Sequence, residues 1–439
     1  MERVLVVGSG AREHAIAVAL ARSLQEKELV CFGSSRNPGI AALSAGYITG
    51  DINDAGAVSK YAVEQKVTLA VIGPENPLAS GVADALWAAG VPTVGPTAAL
   101  ARLESSKAFT RSLLAAHKIP GNPFFARFTS LDGVEDVLER YAGRHVVKDD
   151  GLAGGKGVKV FGDHLHSHAE SLEFCRQLVA LGHPFVIEEK VEGQEFSLLS
   201  FCDGVTLRHM PVVQDHKRLY DGDRGPNTGG MGTYTDADHR LPFLTAEDVA
   251  AAAGINEQVI VATQKETGEA YRGILYGGFM ATADGVRLIE YNARFGDPES
   301  LNLLTLLESD FLDVCRAIVS GDLKNVEPRF APLASVCKYV VPAGYPDAPK
   351  GGDPVTLPGS LPSNVALYLG AVDMNDAQLV STGSRTVAVV ATASTIAEAE
   401  RDCEAVVAQI PGPFLHRKDI GTAPLINARI EHMRRLRSK

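Results

Sequence analysis

The sequence predicts an α/β protein with a parallel-sheet first domain, a β-rich middle and a small α+β last domain. Three observations predict it. Short apolar runs alternate with helical stretches over the first hundred residues. The pattern then changes, near residue 105, to β-rich pieces joined by glycine loops. After Pro332 a strand, an alternating segment and one amphipathic helix follow. Strands that alternate with helices imply βαβ units and a parallel sheet.

In the first domain, Val4–Val7, Leu29–Phe32, Leu69–Ile72 and Pro92–Val94 read as strands. Arg12–Ser23, Ala57–Gln65 and Gly81–Ala89 read as helices. Two strands run into polar glycine loops, GSGAREH after Val7 and GPENPLASG after Ile72. Loops at the carboxyl ends of parallel strands are where ligands bind. In the middle, Ser106–His117 reads as a helix. In the last part, Ser335–Val341 and Thr386–Val390 read as strands, and Thr395 with Glu398 forms a capping box that opens a helix through Ile410. The basic end EHMRRLRSK reads as a solvated helix terminus.

The 439 residues suffice for two to four domains at about 100–200 residues each. Apolar residues at 45% and charged residues at 22% fit a globular chain. A net charge of −11 disfavours bulk nucleic-acid binding. The six cysteines include no C-x-x-C pair, which argues against a zinc or redox motif and fits a reducing compartment. Arg12 and Glu13 interrupt the first apolar run, and no stretch approaches the roughly 18 apolar residues of a span. The expectation is a cytoplasmic protein with no membrane and no nucleic-acid partner.

Two nucleotide motifs fail on inspection. GSGAREHA lacks the third glycine of a dinucleotide fingerprint, because Glu13 stands there. VVKDDGLAGGKGVKVF lacks the first glycine of a phosphate loop, since position 150 is Asp150, and has Gly157 where Ser or Thr is required. It reads instead as a strand–glycine loop–strand hairpin that folds over phosphates with backbone N–H groups and lysine.

Four segments carry the chemistry. The hairpin offers Lys148, Gly154, Gly155, Lys156 and Gly157. VIEEKVEGQEFSLL reads as two strands around a hinge, with Glu188 and Glu195 on either side. LIEYNARFGDPES places Glu290 and Asn292 on one face of a strand, an oxygen pair suited to Mg2+ held with phosphates, and sends Tyr291 to the other face. Arg294 follows as a positive fork for a carboxylate or phosphate. QDHKRLYDGDRGPNTGGMGTY reads as a long structureless loop beside Asp215, His216, Lys217 and Arg218.

In this order the segments resemble the ATP-grasp superfamily and, within it, the phosphoribosylamine–glycine ligases. The resemblance spans the chain: VLVVGSGAREHA, GPENPLASGVADAL, ESSKAFT, QDHKRLYDGDRGPNTGGMG, NARFGDPES and HRKDIG. It implies a Rossmann-like domain without a dinucleotide over residues 1–104, an ATP-grasp core over 105–328 with a lid at about 124–191, and a C-terminal domain over 329–439. It implies ATP and Mg2+ or Mn2+ as cofactors. Glycine and 5-phospho-β-D-ribosylamine would be the substrates, and a monomer is expected. By resemblance, Lys107 and Lys148 touch ATP phosphates or adenine. Glu188 and the Val191 backbone read adenine, and Glu195 reads ribose. Glu290 and Asn292 hold metal. Asp215, Lys217 and Arg294 lie at the substrate end. Ala11 and Leu301 depart from the family pattern; Gly277 and Gly278 stand near where many ATP-grasp enzymes carry another carboxylate, which the glycine ligases also lack.

Overall fold

The structure, a computed structural model, describes residues 1–152 and 157–438. The first strands form a five-stranded parallel sheet. Its spatial order is Gly46–Thr49, Lys27–Gly33, Glu2–Val7, Leu69–Ile72, Thr93–Val94. The inner strands are buried on both faces, so Val4–Val7 and Leu69–Ile72 read as unbroken apolar runs. Chain order reverses at Glu2–Val7, and the two glycine loops leave the sheet beside that reversal. They approach closely: a Cβ on Gly8, which has φ +116°, would lie 2.9 Å from Pro74 Cδ. Glu13, at the position of the missing third glycine, accepts from the Gly10 N–H at 2.6 Å. An acid thus occupies a donor that a pyrophosphate would need.

Several elements of this region have no counterpart in the sequence reading, among them the helices Pro38–Leu43 and Ala98–Ser105 and the strand Gly46–Thr49. Asn37 starts the first of these helices, its Oδ1 accepting from Gly39 N at 2.9 Å, with Pro38 in the first turn. The PENPLA part of the second loop is also helical, over Glu75–Ala79.

Beyond the helix Lys107–Ala116 lies a four-stranded sheet in the order Phe125–Phe128, Phe185–Glu189, His145–Asp149, Val158–Val160. With the helices Val134–Tyr141 and His168–Ala180 it encloses a separate small core that includes Leu138, Val147, Cys175 and Ile187. A second four-stranded sheet faces it, in the order Leu207–His209, Gln194–Asp203, Arg272–Thr282, Gly285–Asn292. The helix Ala246–Thr267 packs on this sheet. It opens with Thr245 and Asp248 capping each other and closes at Gly268 in the left-handed region.

The third large sheet joins Gln214–Asp215 and Gly232–Thr235 to Ala334–Pro342, Val387–Ala393 and Val365–Leu369, with Phe414–Leu415 at the side of Ala334–Pro342. The segment expected to be structureless is therefore built: Gln214–Asp215 and Gly232–Thr235 pair with each other, and Arg218–Tyr220 pairs with Arg224–Asn227. The basic end is helical over Ala423–Arg437 but only partly solvated. Arg429 pairs with Asp223, and Arg437 donates to both oxygens of Asp248 at 2.7 and 2.8 Å. Thr395 caps the helix Ile396–Val407, accepting from Glu398 N, but the Glu398 side chain does not return the bond of the expected capping box.

Candidate active site

A cleft of about 820 Å³ lies between the two four-stranded sheets, with loops of the first sheet and of the third at its far end. Lys107, Lys148, Gly157, Glu188, Val191, Glu195, Asp215, Lys217, Glu290, Asn292 and Arg294 all line it. Gly154, Gly155 and Lys156 lie outside the described residues.

At one end, Glu188 is 2% exposed and its carboxylate is filled by cations. Arg111 meets it with Nε at 2.7 Å and Nη2 at 2.8 Å, and Lys148 Nζ lies 2.8 Å from Oε2. Burial alone would raise the Glu188 pKa, but Arg111 and Lys148 outweigh it and bring it down to about 2. Lys148 also donates to the Ile289 carbonyl at 3.1 Å, so its ammonium is anchored rather than free. Lys107 opens the helix Lys107–Ala116 and donates to the Gly151 carbonyl at 2.6 Å, which ties helix to hairpin. Asp150 accepts from the Ala108 N–H at 3.0 Å beside it.

In the middle, the strand Gly285–Asn292 carries Glu290 and Asn292 on its cleft-facing side. Tyr291 points the other way and donates to Asn256 at 3.0 Å. Opposite Glu290 in the neighbouring strand stands Gly278, so no carboxylate comes from there. Burial would raise the Glu290 pKa, but Lys217, Lys148, Lys107 and Arg294 bring it below the usual value. An ionised carboxylate and an amide oxygen two residues apart suit a hard divalent cation shared with phosphates. Lys217 lies between Glu290, 3.6 Å away, and Glu195, with which it forms a short ion pair.

At the far end, burial and then the Glu299 charge raise the Asp215 pKa well above normal. Glu299 is buried and accepts from the Tyr276 hydroxyl at 2.8 Å. His216 is buried, its Nδ1 3.2 Å from the Gly232 carbonyl, and its pKa falls to about 3 through desolvation. It is a packing group. Arg294, expected as an open fork, instead meets Glu75 at 3.1 Å and Glu104 at 3.0 Å. It fastens the GPENP loop to the core, and its charge is the main cause that draws the Glu75 pKa down to about 2.

Other cleft residues escape the motif reading. Arg111 stands four residues after Lys107 on one helix, a spacing that puts both on one face. Arg12 and Glu75 sit inside the two glycine loops already singled out. Arg385 lines the cleft from the loop that leads into Val387–Ala393 of the third sheet, with no local signal.

Two facing β-sheets around a lysine-lined cleft, a hinge between strands and a Glu–x–Asn strand end together define an ATP-grasp protein. The chain matches the phosphoribosylglycinamide synthetase N domain over residues 2–104, the ATP-grasp (A) domain over 105–300 and the C domain over 335–423. The chain belongs to the phosphoribosylglycinamide synthetase family. A phosphoribosylamine–glycine ligase of Methanosarcina barkeri is 44% identical over 435 residues, covering 99% of this chain and 100% of the relative. The crystal structure of a phosphoribosylamine–glycine ligase from Thermotoga maritima superposes with a TM-score of 0.81 at 28% identity, over 95% of this chain and 100% of that one. The biotin carboxylase domain of Hydrogenobacter thermophilus 2-oxoglutarate carboxylase, solved with MgADP and bicarbonate, shares the fold at 14% identity and a TM-score of 0.69, over 99% of this chain and 94% of that one.

Proposed function

We propose that this chain joins glycine to 5-phospho-β-D-ribosylamine, driven by ATP cleavage, and releases glycinamide ribonucleotide, ADP and phosphate. The observation that carries the reading is the convergence of Lys107, Lys148, Glu290, Asn292, Asp215 and Lys217 in one cleft. Full-length similarity to phosphoribosylamine–glycine ligases supports the choice of substrates. We divide the chain accordingly into an N-terminal domain over 1–104, an ATP-grasp core over 105–328 with its lid at about 124–191, and a C-terminal domain over 329–439.

In this reading the hinge backbone around Val191 meets the adenine edge, and Glu188 holds Lys148 and Arg111 beside it. Glu195 receives the ribose hydroxyls, and Lys107 with the glycine hairpin approaches the phosphates. A bound Mg2+ or Mn2+, held by Glu290 and Asn292, would neutralise phosphate charge. A glycine carboxylate oxygen attacks the γ-phosphorus, the bond to ADP breaks, and glycyl phosphate forms. The amine nitrogen then attacks the carbonyl carbon, and the carbon–oxygen bond to phosphate breaks. Asp215, once ionised, takes the proton lost by that nitrogen, its raised proton affinity being suited to a base. Lys217 supports the developing negative charge, and the closed hairpin keeps water from the acyl phosphate. A monomer is the expected assembly state. Soluble substrates fit a cytoplasmic site of action.

The test is incubation of purified protein with ATP, Mg2+, glycine and freshly generated phosphoribosylamine, followed by mass analysis. Glycinamide ribonucleotide formed in step with ADP, and only with all components, is the expected result. ADP release without that product by folded protein would reject these substrates. Nucleotide binding without turnover would point to a regulator.

A further inference from the structure

Arg385 lies in the loop between Gln378–Ser381 and Val387–Ala393, two residues before that strand of the third sheet, yet reaches two loops of the cleft. Its Nη1 donates to the Gly229 carbonyl at 2.7 Å, the Gly230 carbonyl at 3.2 Å and the Asp297 carbonyl at 2.7 Å. Its Nη2 lies 3.1 Å from Asp297 Oδ2. The other oxygen, Oδ1, accepts from the Tyr339 hydroxyl at 2.6 Å. The guanidinium stacks over the Tyr339 ring at 4.7 Å. Its side chain is 16% exposed, and that of Asp297 is 15% exposed. One guanidinium therefore ties the GPNTGG loop to the FGDPE loop.

The tie extends to the substrate end. Thr228 donates to the Lys217 carbonyl from its N–H at 2.7 Å and its hydroxyl at 2.9 Å. The Met231 N–H donates to the His216 carbonyl at 2.8 Å. Between them Gly230, at φ +111°, leaves no room: an added Cβ would lie 2.5 Å from Pro298 Cδ and 2.6 Å from Asp215 Oδ1. A shift of either loop thus moves Asp215 and Lys217. Because its bonds already go to Asp297 and three carbonyls, the guanidinium is committed to protein rather than to a ligand.

We propose that Arg385 is a positioning residue for the ligation step, locking the Gly229–Gly230 and Asp297–Pro298 backbones so that Asp215 and Lys217 face the reacting carbonyl. The nucleotide end of the cleft does not depend on it. This rests on the ligase reading above.

The experiment compares Arg385→Ala, Arg385→Lys and Tyr339→Phe with the parent chain in steady-state kinetics, beside backbone hydrogen exchange over residues 226–231 and 294–300. Arg385→Ala should lower kcat by about 100-fold, as small misplacements of reacting groups do. Its KM for ATP should stay near the parental value, and ADP release should exceed product formation. Arg385→Lys, which keeps a charge near Asp297 but not the planar fork, should restore part of kcat. Exchange in both loops should quicken in Arg385→Ala and, less, in Tyr339→Phe. A kcat within about twofold of the parent, or a loss explained wholly by weaker ATP binding, would overturn the proposal. Should the parent make no product, the ligase reading falls. Exchange then decides for Arg385: faster exchange supports the tie, and unchanged exchange refutes it.

Discussion

Arg111 and Glu188 meet fork to fork, Nε to Oε1 at 2.7 Å and Nη2 to Oε2 at 2.8 Å, with both side chains almost wholly buried. The pair bolts the helix Lys107–Ala116 to the strand Phe185–Glu189, and Arg111 also donates to the Leu288 and Ile289 carbonyls. One pair thus joins three elements around this end of the cleft. Glu188→Ala strands two buried cations, which should cost roughly 3–5 kcal/mol of stability. Urea unfolding measures it; a loss below about 1 kcal/mol would mean that the pair behaves like a surface contact.

Glu290→Ala removes the ionised member of the oxygen pair without touching a core contact. Turnover should fall by at least about 100-fold, with the melting temperature little changed. Chelation should silence the parent, and added Mg2+ should restore it; the variant should stay silent at the same Mg2+ concentration. Unchanged turnover in folded Glu290→Ala protein would remove the metal assignment.

Two glycine substitutions should move in opposite directions. Gly230→Ala is strained by φ +111° and by contact with Pro298 and Asp215, so both stability and turnover should drop. Gly254 lies in the interior of the helix Ala246–Thr267 with open space beside it. Gly254→Ala should therefore stabilise by roughly 0.5–1 kcal/mol. Denaturation midpoints of the two variants, read with initial rates, check both directions.

Stability should fall in two stages on acidification. Burial lowers the pKa of His14 to about 4 and of His216 to about 3, against 6.5 when free. The unfolded chain therefore takes up those protons first. Their contribution is complete above pH 6.5 and shrinks as pH falls, by up to about 1.4 kcal/mol per pH unit for each group. Glu75 and Glu188, held at about 2 against 4.5 when free, contribute fully above pH 4.5 and lose that contribution toward pH 2. Urea midpoints between pH 7 and pH 3 should show a slope that steepens below 4.5. Buried carboxyls with raised pKa, Asp215 among them, work the other way, and a flat profile from 6.5 to 4.5 would mean that they cancel the imidazoles.

The parallel sheet was legible because its inner strands, such as Val4–Val7, bury both faces and leave no alternation to misread. The Glu290–Asn292 pair was legible because a strand's two-residue period places both on one side. The segment from Gln214 to Thr235 was not, since its strands are short and polar and one of them pairs with Ser335–Lys338, a hundred residues later. The partners of the Arg294 fork were not legible, because Glu75 and Glu104, which fill it, come from helices far earlier in the chain. Arg385 left no trace at all. Its acceptors are 88 to 156 positions away, and STGSRT by itself looks like a turn.

The pairing of Gly232–Thr235 with Ser335–Lys338 also bears on ancestry. The hydrogen-bonded ladder crosses the seam between the successive family segments, so the last hundred residues supply the mate of a strand that leads out of the GPNTGGMG loop. Exchange of that tail for a distant cousin's would pair mismatched edges and leave the donor strand open to other chains. Functional chimeras should therefore tolerate crossovers near residue 104 more readily than near residue 330.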